Sequence, residues 1–246
     1  SVCDNATCLF SAETFGLAVD IGTEMRLRPQ VSDLLISFLH SFSMLPIERV
    51  ELMFPNNVFA QLPDGSTLSF TKPGGHADVP LLRDVIKCIP PVAEMQGFHA
   101  KPDFDAVHPL LYPLLQWLFT TNRGHVRVLK RNERLNIPGA ETQFVLQTGP
   151  VKREAEFQRD KAVSGSFFAF HGSSFGNWHS IVRRGLMNLS NTKLMSAGAA
   201  MGQGIYLANA AGTSMGYSAV GNSWSKSQFM GMSCMALCEV IDRGDE

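Results

Sequence analysis

Within this 246-residue chain, the run Ser166-Phe167-Phe168-Ala169-Phe170 leads without a spacer into His171-Gly172-Ser173 and restricts the possible folds more than any other segment. A short aromatic run favours an extended strand, and here it delivers the histidine to a turn. A helix should follow at once. Trp178, Ile181 and Val182 share one side behind Asn177, Arg183 and Arg184 fill the last turn, and Gly185 is the stop. After a polar loop, Gly202-Gln203-Gly204 frees the backbone ahead of a short strand, Ile205-Tyr206-Leu207-Ala208, and Ser214-Met215-Gly216-Tyr217-Ser218 comes next.

Upstream the signals are plainer. Apolar positions 34, 35, 38, 39 and 42 recur at helical spacing behind a capping Ser32 or Asp33, which predicts a helix ended near Pro46. Ile47 to Phe54 reads as a strand. Val58 to Leu62 and Thr67 to Phe70 flank Pro63-Asp64-Gly65-Ser66, a turn that predicts a hairpin. Lys72-Pro73-Gly74-Gly75-His76 breaks the pattern, and Pro80 then opens a short helix that stops before Pro90-Pro91. From Tyr112, with Pro113 in a first turn, Leu114, Leu115, Trp117 and Leu118 form the apolar face of a core helix stopped by Gly124. Gln143 to Gln147 suits a strand, and Lys152 to Lys161 suits a solvated helix face.

Composition excludes several function classes. Apolar residues are 45% and charged residues 17% of the chain, far from the signature of disorder. A formal net charge of −1 gives no broad basic field for nucleic acid. No run reaches the roughly 18–20 continuous apolar residues of a bilayer span, and the N-terminus has no secretory pattern. Cys3, Cys8, Cys88, Cys234 and Cys238 are odd in number and scattered, which fits reduced thiols in the cytosol or nucleus. Cys3 and Cys8 lack a matched second pair for zinc. Cys234 and Cys238, in an apolar strand-like run, read as buried structural thiols. His179 reads as half-exposed and structural, Trp178 as a helix anchor, and neither His179 nor His125 has a partner visible in the sequence.

His171-Gly172-Ser173, Asn177-Trp178-His179-Ser180-Ile181, Gly185-Leu186, Gly202-Gln203-Gly204-Ile205-Tyr206-Leu207 and Ser214-Met215-Gly216-Tyr217, in this order and spacing, resemble the catalytic domain of poly(ADP-ribose) polymerase-type enzymes. His171-Gly172-Ser173-Ser174, Tyr112-Pro113-Leu114-Leu115-Gln116-Trp117 and Cys234-Met235-Ala236-Leu237-Cys238-Glu239-Val240 resemble the branch of mono-ADP-ribosyltransferases with a cysteine-rich insertion. The resemblance runs from about Leu110 onward. It implies an α+β fold with the antiparallel split β-sheet of ADP-ribosyltransferases, incomplete at the C-terminus and preceded by a mixed α/β N-terminal region. The expected division is residues 1–100, a helical lead-in over 101–165, and a partial catalytic domain over 166–246.

The resemblance also implies roles. NAD⁺ is the co-substrate and no metal is expected. The His171 side chain would hold the adenosine ribose, with Ser173 on the adenosine side; the Gly172 backbone and Ser214 hydroxyl would hold the nicotinamide carboxamide. Tyr217 would stack on the nicotinamide ring and Tyr206 would close the nicotinamide-ribose side, so His171 and Tyr206 are the expected catalytic residues. The partners are protein acceptors of ADP-ribose, this chain among the candidates, through Asp, Glu, Ser or Cys.

Two departures qualify that pattern. Gln203 stands where the polymerases carry a lysine between the glycines, which disfavours polymer elongation. The third signature position, beyond the Glu239-Val240 strand, falls outside a sequence that ends at Glu246, and Glu239 is not its substitute. The expected activity is therefore NAD⁺-dependent mono-ADP-ribosylation with release of nicotinamide. The alternative is a catalytically inactive NAD⁺-binding scaffold of the same fold.

Overall fold

A computed structural model of the chain describes residues 20–122, 126–146, 151–189 and 202–244. Cys3, Cys8, Gly124, His125 and Gln147 lie outside the described residues. The N-terminal part is mostly helical: α1 (Ile21–Leu27), α2 (Pro29–Ser43), α3 (Ile47–Glu51), α4 (Val79–Cys88), α5 (Val92–Met95), α6 (Lys101–Val107) and α7 (Leu111–Thr121) surround one hairpin, β1 (Phe59–Gln61) and β2 (Thr67–Ser69). A second hairpin, β3 (Val126–Val128) with β4 (Phe144–Leu146), and α8 (Val151–Ser164) lead to β5 (Ser166–Gly172), α9 (Trp178–Arg184), α10 (Ala211–Met215) and β6 (Met235–Ile241). The strands form three antiparallel pairs, β1 with β2, β3 with β4 and β5 with β6. The architecture is α+β.

Helix α2 is the centre of the molecule. Pro29 fits its first turn, where no N–H partner is needed, and every residue from Val31 to Leu39 is buried. A helix enclosed on all sides must find partners for its polar side chains as well as its apolar ones. Ile36, Phe38 and Leu39 are at most 1% exposed, and each contributes about 1.5–3 kcal/mol by leaving water. The apolar cluster around them reaches from Ile21 to Phe229. The helix begins ahead of the expected Ser32 or Asp33 cap, so both residues sit inside it. Asp33 instead accepts hydrogen bonds from the hydroxyls of Ser37 (3.2 Å) and Ser227 and from the Gln228 amide (3.1 Å), joining α2 to a distant segment.

Several expectations are met. The Pro63–Ser66 turn joins β1 and β2 with Gly65 at φ 82°, a conformation that glycine tolerates. Asp78 caps α4 by accepting from the Leu81 amide at 3.2 Å. Helix α7 buries Leu111, Leu114, Leu115, Leu118 and Phe119. Trp117 stands off that face, with the Arg183 guanidinium 4.2 Å from its ring centroid.

Four expectations are corrected. Ile47–Glu51 is a helical turn instead of a strand: the Pro46 carbonyl accepts from the amides of Arg49 (2.9 Å) and Val50 (3.2 Å), and only Val50 in it is buried. His171 and Gly172 remain in β5, opposite Ala236 and Met235, because β6 is long enough to pair with them. Residues 205–207, expected within a strand over 205–208, form none, and Ala208 alone bridges to Phe170. Cys234, just ahead of β6, and Cys238 within it are half-buried, and β6 is only partly covered along its whole length. Even so, burial pushes the Cys234 thiol up to about 12, which leaves it a poor nucleophile.

Candidate active site

The site is built on the outer edge of β5. Phe170 donates its amide to the Ala208 carbonyl (2.7 Å) and accepts from the Ala208 amide (2.9 Å), so both its backbone groups face away from β6. Along an antiparallel strand this direction recurs every second residue, and Gly172 therefore presents its N–H and C=O to the same edge. A Cβ on Gly172 would lie 1.9 Å from the Ser214 carbonyl oxygen and 2.9 Å from Ser218 Oγ. Only glycine allows α10 to come this near.

Ser214 is buried and donates its hydroxyl to the Phe170 carbonyl at 2.9 Å. Ser218, also buried, donates to the Ser214 carbonyl at 3.0 Å. The end of α10 is thus tied to the strand edge beside Gly172 by two hydroxyls. Tyr217, just beyond, is 62% exposed and offers an aromatic ring of the kind that stacks on planar ligands.

His171 stands on the other side of Gly172. Its Nδ1 is 3.0 Å from the Tyr206 carbonyl oxygen; a carbonyl can only accept, so Nδ1 carries the hydrogen and Nε2 is the ring nitrogen left to accept. A ribose hydroxyl is a suitable donor to it. Tyr206 turns back along its own loop and donates its phenol to the Gly202 carbonyl at 2.5 Å, which shapes the glycine loop ahead of residues 205–208, the stretch expected as a strand. Ser173 accepts from the Asn177 amide nitrogen at 3.0 Å, and its carbonyl accepts from the Trp178 indole at 3.1 Å. Asn177 thus steadies Ser173 instead of capping α9, whose N-terminus lacks a side-chain cap.

A cleft of about 390 Å³ opens beside this edge, lined by Phe167, Ala169, residues 202–207 and Asn209. It takes in Tyr206 and Gln203, whereas Gly172, Ser214 and Tyr217 lie outside it. Of the residues anticipated from sequence, His171 meets Tyr206 directly and Gly172 meets Ser214 directly. Tyr217 follows Ser214 through the hydrogen bond from its amide to the Ser214 carbonyl, 3.0 Å. The supporting pair Asn177 and Ser218 was not anticipated. Its signals were available: Asn177 at a helix start, and Ser218 four residues after Ser214.

His179 corrects the half-exposed expectation. It is 1% exposed, with the rings of Phe42 and Trp117 at 4.7 and 5.9 Å. Burial, helped by the Arg183 charge whose Nη1 is 3.5 Å from Nε2, holds the imidazole well below its ordinary range and neutral. Burial in turn lowers Arg183 to about 10. Glu239 lies away from the cleft, accepting from Ser166 Oγ at 2.6 Å and ion-paired with Lys161 at 2.5 Å. These partners lower its carboxyl below the usual range, the Lys161 hydrogen bond most.

An α+β framework with glycine backbone presented between a histidine and a buried serine is consistent with an ADP-ribosyltransferase. Residues 127–244 match the model of the poly(ADP-ribose) polymerase catalytic domain, and this part of the chain belongs to that family. Across 273 aligned positions covering the whole chain, identity is 33% to protein mono-ADP-ribosyltransferase PARP8 of Homo sapiens and 34% to its namesake of Mus musculus. The chain spans 32% of the length of each. A 94-residue stretch, 37% of this chain, is 38% identical to protein mono-ADP-ribosyltransferase PARP16 of Homo sapiens and spans 27% of it. Among the described residues no helix is long and apolar enough to cross a membrane.

Proposed function

We propose that this chain contributes the NAD⁺ site of a mono-ADP-ribosyltransferase, which transfers one ADP-ribose from NAD⁺ to a protein side chain and releases nicotinamide. The observation that carries this reading is the Gly172 edge: a peptide N–H and C=O turned outward, beside a buried serine hydroxyl, on a strand too crowded there for any side chain. A primary carboxamide has one donor and one acceptor face, and a peptide edge matches both. The nicotinamide of NAD⁺ carries such a group.

In this reading Gly172 and Ser214 fix the carboxamide and Tyr217 covers the ring. His171 Nε2 accepts from the adenosine ribose, Ser173 supports that side, and Tyr206 closes the nicotinamide-ribose side. Fixing both ends of the dinucleotide holds the glycosidic bond in a reactive geometry, and such positioning supplies much of the rate in a reaction whose leaving group departs from an oxocarbenium-like centre. Protein acceptors, this chain among them, would approach from the Gln203 side.

One observation favours a second reading, an NAD⁺-binding scaffold without turnover. Among the described residues the cleft lining contains no carboxylate, and Glu239, away from the cleft, is committed to Ser166 and Lys161. An acceptor that brings its own carboxylate would restore the transferase reading.

The test is incubation of the chain with labelled NAD⁺, alongside His171→Ala and Tyr217→Ala. Discrete label on protein, lost in both variants, is the expected result. A high-molecular-weight smear would overturn mono-transfer. NAD⁺ binding without any label would leave the scaffold.

A further inference from the structure

We propose that Trp178 is a positioning residue for the adenosine side of the NAD⁺ site, and that it is held in place by Phe38, which lies outside the family-matched region 127–244. The inference rests on the reading of the site just given and adds to it a part of the chain to which that reading assigns no role.

Trp178 has three neighbours that matter. Its indole N–H donates to the Ser173 carbonyl at 3.1 Å. Its ring meets that of His171 edge-on, with centroids 6.3 Å apart. On its far side it stacks on Phe38 of α2, centroids 6.4 Å apart and planes within 23°. It is 4% exposed and Phe38 1%, so neither can touch a ligand. Phe175, in the helical turn Phe175–Asn177 that precedes Trp178, adds a second aromatic contact with Phe38 at 5.0 Å.

The consequence is directional. His171 and Ser173, the two residues placed on the adenosine side, both rest on one indole, while Ser214 in α10 and Tyr217 just beyond it share no hydrogen bond or ring contact with that indole among the described residues. An aromatic pair contributes through ring geometry as well as burial, and the N–H adds a directional bond to a backbone carbonyl. Removing either should loosen the adenosine side and spare the nicotinamide side. A residue that mattered only for global stability would affect both sides alike.

The experiment is calorimetric titration of the chain with ADP-ribose and, separately, with nicotinamide. Trp178→Phe keeps an aromatic ring on Phe38 but removes the donor, and should weaken ADP-ribose binding by about three- to tenfold, the cost of one hydrogen bond, with nicotinamide affinity within about twofold, a change too small to register one lost bond. Phe38→Leu should show the same split, and it carries the test should Trp178→Phe fail to fold. Trp224→Phe is the control: Trp224 is 2% exposed and its indole nitrogen has no hydrogen-bond partner among the described residues, so neither affinity should change. Unchanged ADP-ribose affinity in Trp178→Phe and Phe38→Leu, or equal loss of both ligands, overturns the assignment while leaving the NAD⁺ site intact. A wild-type chain that binds neither ligand overturns the NAD⁺ reading itself, and this inference with it.

Discussion

The carbonyl oxygen of Ser214 lies 1.9 Å from where a Cβ on Gly172 would stand. The contact locks the spacing between β5 and α10, and with it the gap into which a flat ligand must slide. A Gly172→Ala substitution cannot be absorbed by a flexible side chain, because the obstructing atom is backbone. It should displace α10, cost about 1–3 kcal/mol of stability as overpacking does, and abolish labelling from NAD⁺. Thermal melting and the labelling assay would check the two effects separately. A variant that melts normally and still labels would show that the gap is not the site.

His179 gives the fold a pH dependence of known sign. Its folded-state pKa is depressed by burial, so at acidic pH the unfolded chain binds a proton that the folded chain does not. The stability this group contributes is fully present above the unfolded value of about 6.5. It is lost as pH falls below that value, by about 1.4 kcal/mol per pH unit until the folded-state value is reached. Denaturant midpoints at pH 7.5, 6.0 and 5.0 should fall progressively, and His179→Phe should flatten the fall. An identical slope in the variant would assign the dependence to other groups.

Where local pattern decided the structure, the sequence was legible. The apolar spacing in α2, the Pro63–Ser66 turn, the Pro80 start of α4 and the Gly185 stop of α9 are settled by a few adjacent residues. Ile47–Glu51 was not, because apolar positions 47 and 50 suit a helical turn as well as a strand and the Pro46 carbonyl tips the balance. The burial of His179 depends on Phe42 and Trp117, neither of them near it in sequence. The irregular path of residues 202–207 depends on the Tyr206 phenol reaching back to Gly202. The motif residues of the site were legible by family resemblance. Their support was not: Trp178 on Phe38 is a tertiary contact that no local periodicity encodes.

Glu239 lies on β6, the strand paired with β5, and its surroundings assign it to structure. Ser166 and Lys161 together tie β6 to the start of β5 and to α8. Glu239→Gln retains an acceptor for Ser166 and removes only the charge. Labelling from NAD⁺ should therefore be unchanged, and the residual salt sensitivity of the melting temperature should diminish. Loss of labelling in a variant that melts like the wild type would return Glu239 to the chemistry.

Asp33 carries the tightest link between the N-terminal helices and the segment that follows Tyr217. Its carboxylate accepts from Ser37, Ser227 and the Gln228 amide within a helix that is enclosed on all sides. Ser227 Oγ in turn accepts from the Phe229 amide at 2.9 Å, and Phe229 is itself a core residue that meets Phe144 edge-on at 5.8 Å. Asp33→Ala would leave the Ser227 hydroxyl and the Gln228 N–H without an acceptor, while Ser37 keeps Ser227 Oγ at 2.8 Å. The loss is about 2–4 kcal/mol given the cost of orphaned donors in a buried site. Asp33→Asn keeps an acceptor oxygen and should recover a substantial part of it. Chemical denaturation of the two variants checks the order. Equal stabilities for Asp33→Ala and wild type would show that water replaces the carboxylate, and that α2 holds the 221–229 segment by its apolar contacts and its other polar links, Ser37 to Ser227 and His40 to the Asn222 carbonyl.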